Sequence, residues 1–344
     1  MPKGVLLVNL GSPDSFEVKD IKRYLKEFLM DERVIDYPYW LRYLIVRGII
    51  LNVRPPKTSE AYKKIWWDEG SPLIVISKRL TAKVQAQVSV PVVMAMRYGN
   101  PSISEGLAAL HQQGVTEVLL IPLYPQYAMA TSETIEVLAE KLISEHYPQM
   151  VLHKFPPFFH RKEYIEALAG VTAPILADYP YDHLLFSYHG VPERHLYKTS
   201  PTPAHKHIVD GKSCCDAYSE EGAHCYRSHC FETTRLLAEA LQLPEDKYSI
   251  SFQSRLGADK WLTPFTSDRI KALAQSGVKR LAVITPAFVA DCVETLEEIE
   301  MVGGKTFVEN GGESFKLIPC LNDSEPWAKA LAQWKKEQAG DGHT

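Results

Sequence analysis

The sequence predicts an α/β protein built from two doubly wound, parallel-sheet lobes. Three observations lead there. Short runs rich in Val, Ile and Leu recur along the chain, bounded by turn residues, as in strands buried on both faces. Amphipathic stretches at helical spacing separate them, as right-handed crossovers require. The 344 residues are enough for about two domains of ordinary size.

The expected strands, in order, are Gly4–Asn9, Val92–Met96, Glu117–Leu123, Met150–Lys154, His183–Ser187, Tyr248–Gln253, Arg280–Thr285 and Phe315–Pro319. The expected helices between them are Glu17–Leu29, Ile103–Gln113, Ser132–Glu145, Lys162–Ala177, Cys230–Leu241, Ser267–Ala274 and Cys292–Val302. A last helix, Glu325–Gln338, follows the final strand, and the sequence does not say which half it packs on. The strands form two groups of four, split near Phe155, Pro156 and Pro157. This sets an N-terminal lobe over 1–155 and a C-terminal lobe over 156–344. Val8 to Pro13 and Phe186 to Pro192 echo each other, both ending a first strand in small residues and proline. Two segments break the alternation. Residues 29–56 are rich in aromatic and aliphatic side chains and fit a buried helix or a lid over an apolar ligand. Residues 201–229 are polar, dense in Cys and His, and fit an inserted loop.

Composition narrows the function. Hydrophobic residues make up 45% and charged residues 23%, so a packed core is available and a wholly disordered chain is excluded. With 38 basic against 42 acidic residues, no positive excess exists to neutralise phosphates, which excludes general nucleic-acid binding. The first ten residues lack the zones of a signal peptide. The longest apolar run, Tyr39–Val53, is interrupted by Arg42 and Arg47 and is shorter than a membrane span. A soluble, cytoplasmic protein is expected, whose six cysteines are not a disulfide framework. No GxGxxG, P-loop or nucleophile-elbow pattern follows any strand.

In an open parallel sheet, ligands gather outside the carboxyl ends of the strands. There the sequence places His189, Arg97, Tyr98, Tyr124, Tyr127, Trp261, Asp291, Glu294 and Glu298. His189 precedes Gly190, where a tight turn exposes a ring with an ordinary pKa near about 6.5. A proton acceptor or metal ligand fits that position, and so does a histidine hydrogen-bonded at a strand end. Asp291, Glu294 and Glu298 share one face of a helix near its N-terminus. A cation-binding or proton-passing ladder fits them, and so does a solvated helix start matched to the dipole. Arg97 and the tyrosines suit a flat, aromatic, anionic ligand, and equally an ordinary core and rim.

Together these residues resemble ferrochelatase, which inserts ferrous iron into a porphyrin. The matching segments include Leu6 to Pro13, Gly70 to Leu73, Met96 to Gly99, Tyr124 to Tyr127, Phe186 to Pro192, Phe252 to Gly257 with Trp261 to Pro264, and Pro286 to Ile299. They run in the family's order over nearly the whole chain. The resemblance implies a bilobal, class II chelatase-like fold with a porphyrin cleft between the lobes. It makes His189 and Glu294 the metal- and proton-handling pair, with Asp291 and Glu298 relaying protons outward. It lines the cleft with Tyr62, Arg97, Tyr98, Tyr124 and Trp261, and makes 29–56 an apolar lip that allows peripheral membrane contact. It also implies that binding bends the macrocycle toward a saddle. Two N–H protons leave as Fe²⁺ enters, so a nearby base and an exit route are needed. The porphyrin is protoporphyrin IX or coproporphyrin III.

The chain departs from some relatives. Cys292 stands where some members carry histidine, and Val302 where others extend the acidic ladder. Relatives with a C-terminal [2Fe–2S] cluster have a cysteine where Met129 stands here, and no cysteine follows Cys320. Instead, Cys214, Cys215, Cys225 and Cys230 cluster within about 201–230. Four thiolates suffice for a [2Fe–2S] cluster or for zinc, and nearby histidines leave mixed ligation open. A few relatives hold a cluster on internal cysteines, which favours iron–sulfur here. Two other functions fit the scaffold: a chelatase for another metal or tetrapyrrole, and a non-catalytic haem or iron–sulfur sensor.

Overall fold

The computed structural model describes residues 3–200, 208–209, 212–213, 218, 223–255, 257 and 259–338. The chain divides into two compact units. The first comprises Met1–Leu123, Met129–Pro156 and Asn322–Thr344; the second comprises Tyr124–Ala128 and Pro157–Leu321.

In the first unit, β1 (Lys3–Ser12), β2 (Val92–Gly99), β3 (Glu117–Pro122) and β4 (Val151–Lys154) form a parallel sheet in the order β2-β1-β3-β4. The buried Val5–Val8 run makes β1 the centre, with Val8 paired to Ala95 and Leu7 to Ile121. The helices are α1 (Val18–Leu29), α2 (Tyr39–Tyr43), α3 (Leu51–Ile65), α4 (Pro72–Gln85), α5 (Ile103–Gln112) and α6 (Thr134–His146). A capping box starts α5: Ser102 Oγ accepts from the Glu105 N–H at 3.2 Å, and Glu105 accepts from the Ser102 N–H at 2.6 Å. α4 lies outside the expected set. It begins with Pro72, whose missing N–H has no cost at a helix start. Between α1 and α3 the chain passes through α2 and a π-helical stretch, Leu44–Ile50, leaving Tyr39, Trp40, Leu44, Ile49 and Val53 exposed. The C-terminal helix, Glu325–Gln338, belongs to this unit and packs on α4. Its Trp327 and Trp334 are fully buried, and Trp334 stacks on Phe155 with ring centroids 4.7 Å apart.

The second unit holds β5 (His183–His189), a short antiparallel pair β6 (Ile208–Val209) and β7 (Lys212–Ser213), then β8 (Tyr248–Gln253), β9 (Arg280–Ile284) and β10 (Ser314–Leu317). Its parallel sheet runs β10-β9-β5-β8. Around it lie α7 (Lys162–Asp178), α8 (Glu193–Thr199), α9 (Tyr226–Ala240), α10 (Thr266–Gln275) and α11 (Gly304–Glu309). A π-helical segment, Glu294–Gly303, leads into α11. Leu185, Leu273, Leu281, Val283, Ile299 and Phe307 form the core under one sheet face.

The two sheets share one winding. In each, the first strand is central, the second and third flank it, and the fourth lies outside the third. Chain direction therefore reverses at β1 and at β5, and a ligand crevice belongs beyond their carboxyl ends. A glycine follows each first-strand motif there. At Gly11, with φ of +113°, a Cβ would come within 1.7 Å of the Tyr98 carbonyl oxygen. At Gly190 it would come within 2.9 Å of the Gln253 carbonyl oxygen. Among the described residues no helix is long and apolar enough to cross a membrane.

Candidate active site

His189 is the last residue of β5, paired with Gln253, the last of β8. Its Nδ1 lies 2.6 Å from the Gly190 carbonyl oxygen. A carbonyl only accepts, so Nδ1 carries the proton and Nε2 of the neutral ring keeps its lone pair. The His189 carbonyl accepts from Tyr226 OH at 2.7 Å, which anchors the strand end. Phe288 lies 6.2 Å from the imidazole, centroid to centroid. Trp261, nearly buried, pairs with Pro192, and its Cε3 lies 3.3 Å from where a Gly190 Cβ would be.

The acidic residues follow β9. Glu294 opens the π-helical segment, and Glu298 lies within it. Burial pushes the Glu298 carboxyl up; Ser254 and the nearby His189 pull it down, while the Glu294 charge adds to the rise. Glu298 therefore senses both His189 and Glu294 electrostatically. Ser254, just past β8, donates its N–H to Glu298 Oε1 at 3.0 Å and its hydroxyl to Oε2.

Asp291 differs from the expected arrangement. It precedes the helix, is buried, and accepts from Thr295 Oγ1 at 3.0 Å and the Cys320 N–H at 3.4 Å. Thr295 Oγ1 also accepts from the Cys292 N–H at 3.0 Å. The π-helical pitch replaces the α-helical one on which a shared face of Asp291, Glu294 and Glu298 was expected. Partial burial pushes the Glu300 carboxyl up, and the Asp291 charge adds to the rise. Cys292 is buried; burial pushes its thiol up, and the Glu294 charge adds to this.

The remaining expected residues divide between the units. In the first, Tyr62 is buried on α3, its ring 6.1 Å from that of Trp66. Arg97 pairs with Asp31, donates Nε to Thr134 Oγ1 at 2.7 Å, and lies 4.4 Å over the Tyr98 ring. Tyr98 has no exposed surface; its hydroxyl donates to Asp31 at 3.0 Å. Asp31 also accepts from Thr134 Oγ1 at 2.5 Å and the Arg33 N–H at 2.8 Å. Burial alone would raise Asp31, but these donors and Arg97 hold it below the ordinary carboxylate range. In the second unit, half-buried Tyr124 opens the segment that continues through Gln126 and Tyr127. Gln126 Nε2 donates to Thr233 Oγ1 at 3.1 Å, and the Tyr127 N–H donates to His229 Nδ1 at 3.2 Å.

Of the four clustered cysteines, Cys214 and Cys215 lie outside the described residues. Cys225 immediately precedes α9 and Cys230 lies in its second turn; both are buried, unbridged thiols. His229 beside them stacks on Phe159 at 3.7 Å, and burial pushes its imidazole down to about 3. Among the described residues no group of three or more His, Cys, Asp or Glu side chains is arranged to hold a metal.

Sequence reasoning missed Asp31 and Thr295; Gln253 and Ser254 lay in the Phe252 to Gly257 segment that carries the family likeness, but without a role for either.

A family model described as ferrochelatase matches residues 2–339. A curated ferrochelatase from Pseudomonas putida is 48% identical over 330 residues, covering 95% of this chain and 97% of its own. One from Opitutus terrae is 49% identical over 333 residues, covering 96% of each. Among solved structures, SirB from Bacillus subtilis with Fe3+ matches 98% of this chain and 96% of its own with a TM-score of 0.55. At 13% identity that is a likeness of fold alone. Matched over nearly its whole length by the family model and by relatives of almost half identity, the protein belongs to the ferrochelatase family.

Proposed function

We infer that the protein is a ferrochelatase, a lyase that inserts Fe²⁺ into a porphyrin and releases two protons, at the end of haem biosynthesis. Beyond family membership, one observation carries the reading. His189 spends Nδ1 on the Gly190 carbonyl at the switch point of its sheet, which leaves Nε2 for a substrate, and Glu298 senses both His189 and Glu294. His189 takes a pyrrole proton at Nε2, and Glu294 meets the incoming cation or the second proton. Glu298, whose proton affinity burial raises, accepts protons near neutral pH more readily than an ordinary carboxylate. Asp291, coupled by charge to exposed Glu300, extends the path outward. Trp261 beside Gly190 supplies an apolar wall for a macrocycle, and Tyr124 of the same unit is a further porphyrin contact. No covalent intermediate is needed, and iron is a substrate.

Cys214, Cys215, Cys225 and Cys230 are assigned to a [2Fe–2S] cluster, with zinc the second reading; burial of Cys225 and Cys230 supports a shielded site. The cluster would add structural support or redox sensing on α9, outside the insertion step. Anaerobically purified protein should absorb visible light, and Cys225→Ser should remove that colour. Colourless protein holding one zinc per chain is the contrary result. The exposed Tyr39, Trp40, Leu44, Ile49 and Val53, with Arg47 and Arg54 among them, support peripheral membrane contact.

The functional test is anaerobic, steady-state insertion of Fe²⁺ into protoporphyrin IX and coproporphyrin III. Multiple turnovers with one of them are expected. Porphyrin binding without any metalloporphyrin would instead indicate a sensor.

A further inference from the structure

Gln253 and Ser254 take no part in the chemistry above, yet both hold the acidic helix. Gln253 is buried. Its Nε2 donates to the Glu294 carbonyl at 2.9 Å, and its Oε1 accepts from Ser187 Oγ at 2.7 Å, two residues before His189. One amide thus ties the strand that carries His189 to the helix start that carries Glu294. Ser254 follows with φ of +65°, a left-handed conformation that disfavours most residues other than Gly, Asn and Asp. In that conformation its N–H and its hydroxyl both reach the one carboxylate of Glu298. Strain kept at a residue that grips a functional group points to use of the grip. A serine serving only the turn would be as well replaced by glycine.

We propose that Ser254 is a positioning residue for iron insertion. Its paired donors hold the Glu298 carboxylate in one rotamer, while Gln253 fixes the helix start that carries Glu294. This rests on the ferrochelatase reading, and the experiment separates the two. Steady-state insertion is measured for wild type, Ser254→Gly, Ser254→Asn, Glu298→Gln and the double variant Ser254→Gly/Glu298→Gln. Glycine relieves the backbone and keeps the N–H, so it deletes the hydroxyl alone. The expected kcat of Ser254→Gly is roughly tenfold lower, the scale of one hydrogen bond to a charged group, with the porphyrin KM within about twofold. Asparagine, which tolerates this backbone and offers a donor, should recover most of that loss. In the Glu298→Gln background, Ser254→Gly should change kcat by less than about twofold, since the partner is already gone. An unchanged kcat in Ser254→Gly, or an equal loss in both backgrounds, overturns the positioning role. Wild type that inserts no iron overturns the ferrochelatase reading itself.

Discussion

His183 begins the strand that His189 ends, and it is buried. At His183, Nε2 lies 2.8 Å from Ser249 Oγ, which also accepts from Arg269 Nε at 3.2 Å. The ring is buried beside the Arg269 guanidinium, which disfavours its charged form. Burial, with Arg269 nearby, pushes its pKa down to about 4. The unfolded chain binds this proton below about pH 6.5, the folded chain only near 4, so stability falls as pH drops through that window. By about pH 5 the loss reaches roughly 2 kcal/mol. His183→Gln should flatten the dependence of urea midpoint on pH over that range; an unchanged slope would rule out His183 as the source. Thr295→Val should remove the donor to Asp291 and the acceptor for Cys292, costing about 1–3 kcal/mol in the same denaturation experiment. His189 was legible because it ends an apolar run before a glycine. Asp31 was not, because its side-chain partners Arg97, Tyr98 and Thr134 lie 66 or more residues away, and the role of Ser254 was hidden because its partner Glu298 lies 44 residues away.

Strands gave the clearest signal among elements, since runs such as Val5–Val8 and Leu281–Ile284 are buried on both faces. α4 escaped because Leu73, Ile74, Val75 and Ile76 form a short apolar run that periodicity cannot assign to helix or strand. The π-helical pitch at Glu294–Gly303 was equally hidden, since a spacing of three and four reads as α-helix. The turn after β5 is sensitive to change. Gly190→Ala would put a Cβ 2.9 Å from the Gln253 carbonyl oxygen, in the register that aligns His189 with the end of β8. Overpacking of this kind costs about 1–3 kcal/mol. Insertion activity should fall more than stability does, by roughly tenfold or more, because the displaced residue carries the base. Full activity in a stably folded Gly190→Ala protein would mean the turn tolerates the methyl group.

For the whole molecule, two units of identical winding were foreshadowed by the paired motifs at Val8 to Pro13 and Phe186 to Pro192. The destination of the C-terminal helix was not, because an amphipathic helix does not name the surface it covers. Its Trp327 and Trp334 complete the first unit's core. Trp334→Ala should therefore cost about 3–5 kcal/mol, read as a lowered urea midpoint. A loss below about 1 kcal/mol would mean the helix is dispensable there. The central claim is that His189 accepts a porphyrin proton. Its most direct test is anaerobic Fe²⁺ insertion by His189→Ala, with porphyrin binding followed by fluorescence on the same sample. Turnover should fall by roughly 10²–10⁴-fold while the porphyrin still binds. Near-normal turnover in that variant would contradict the account.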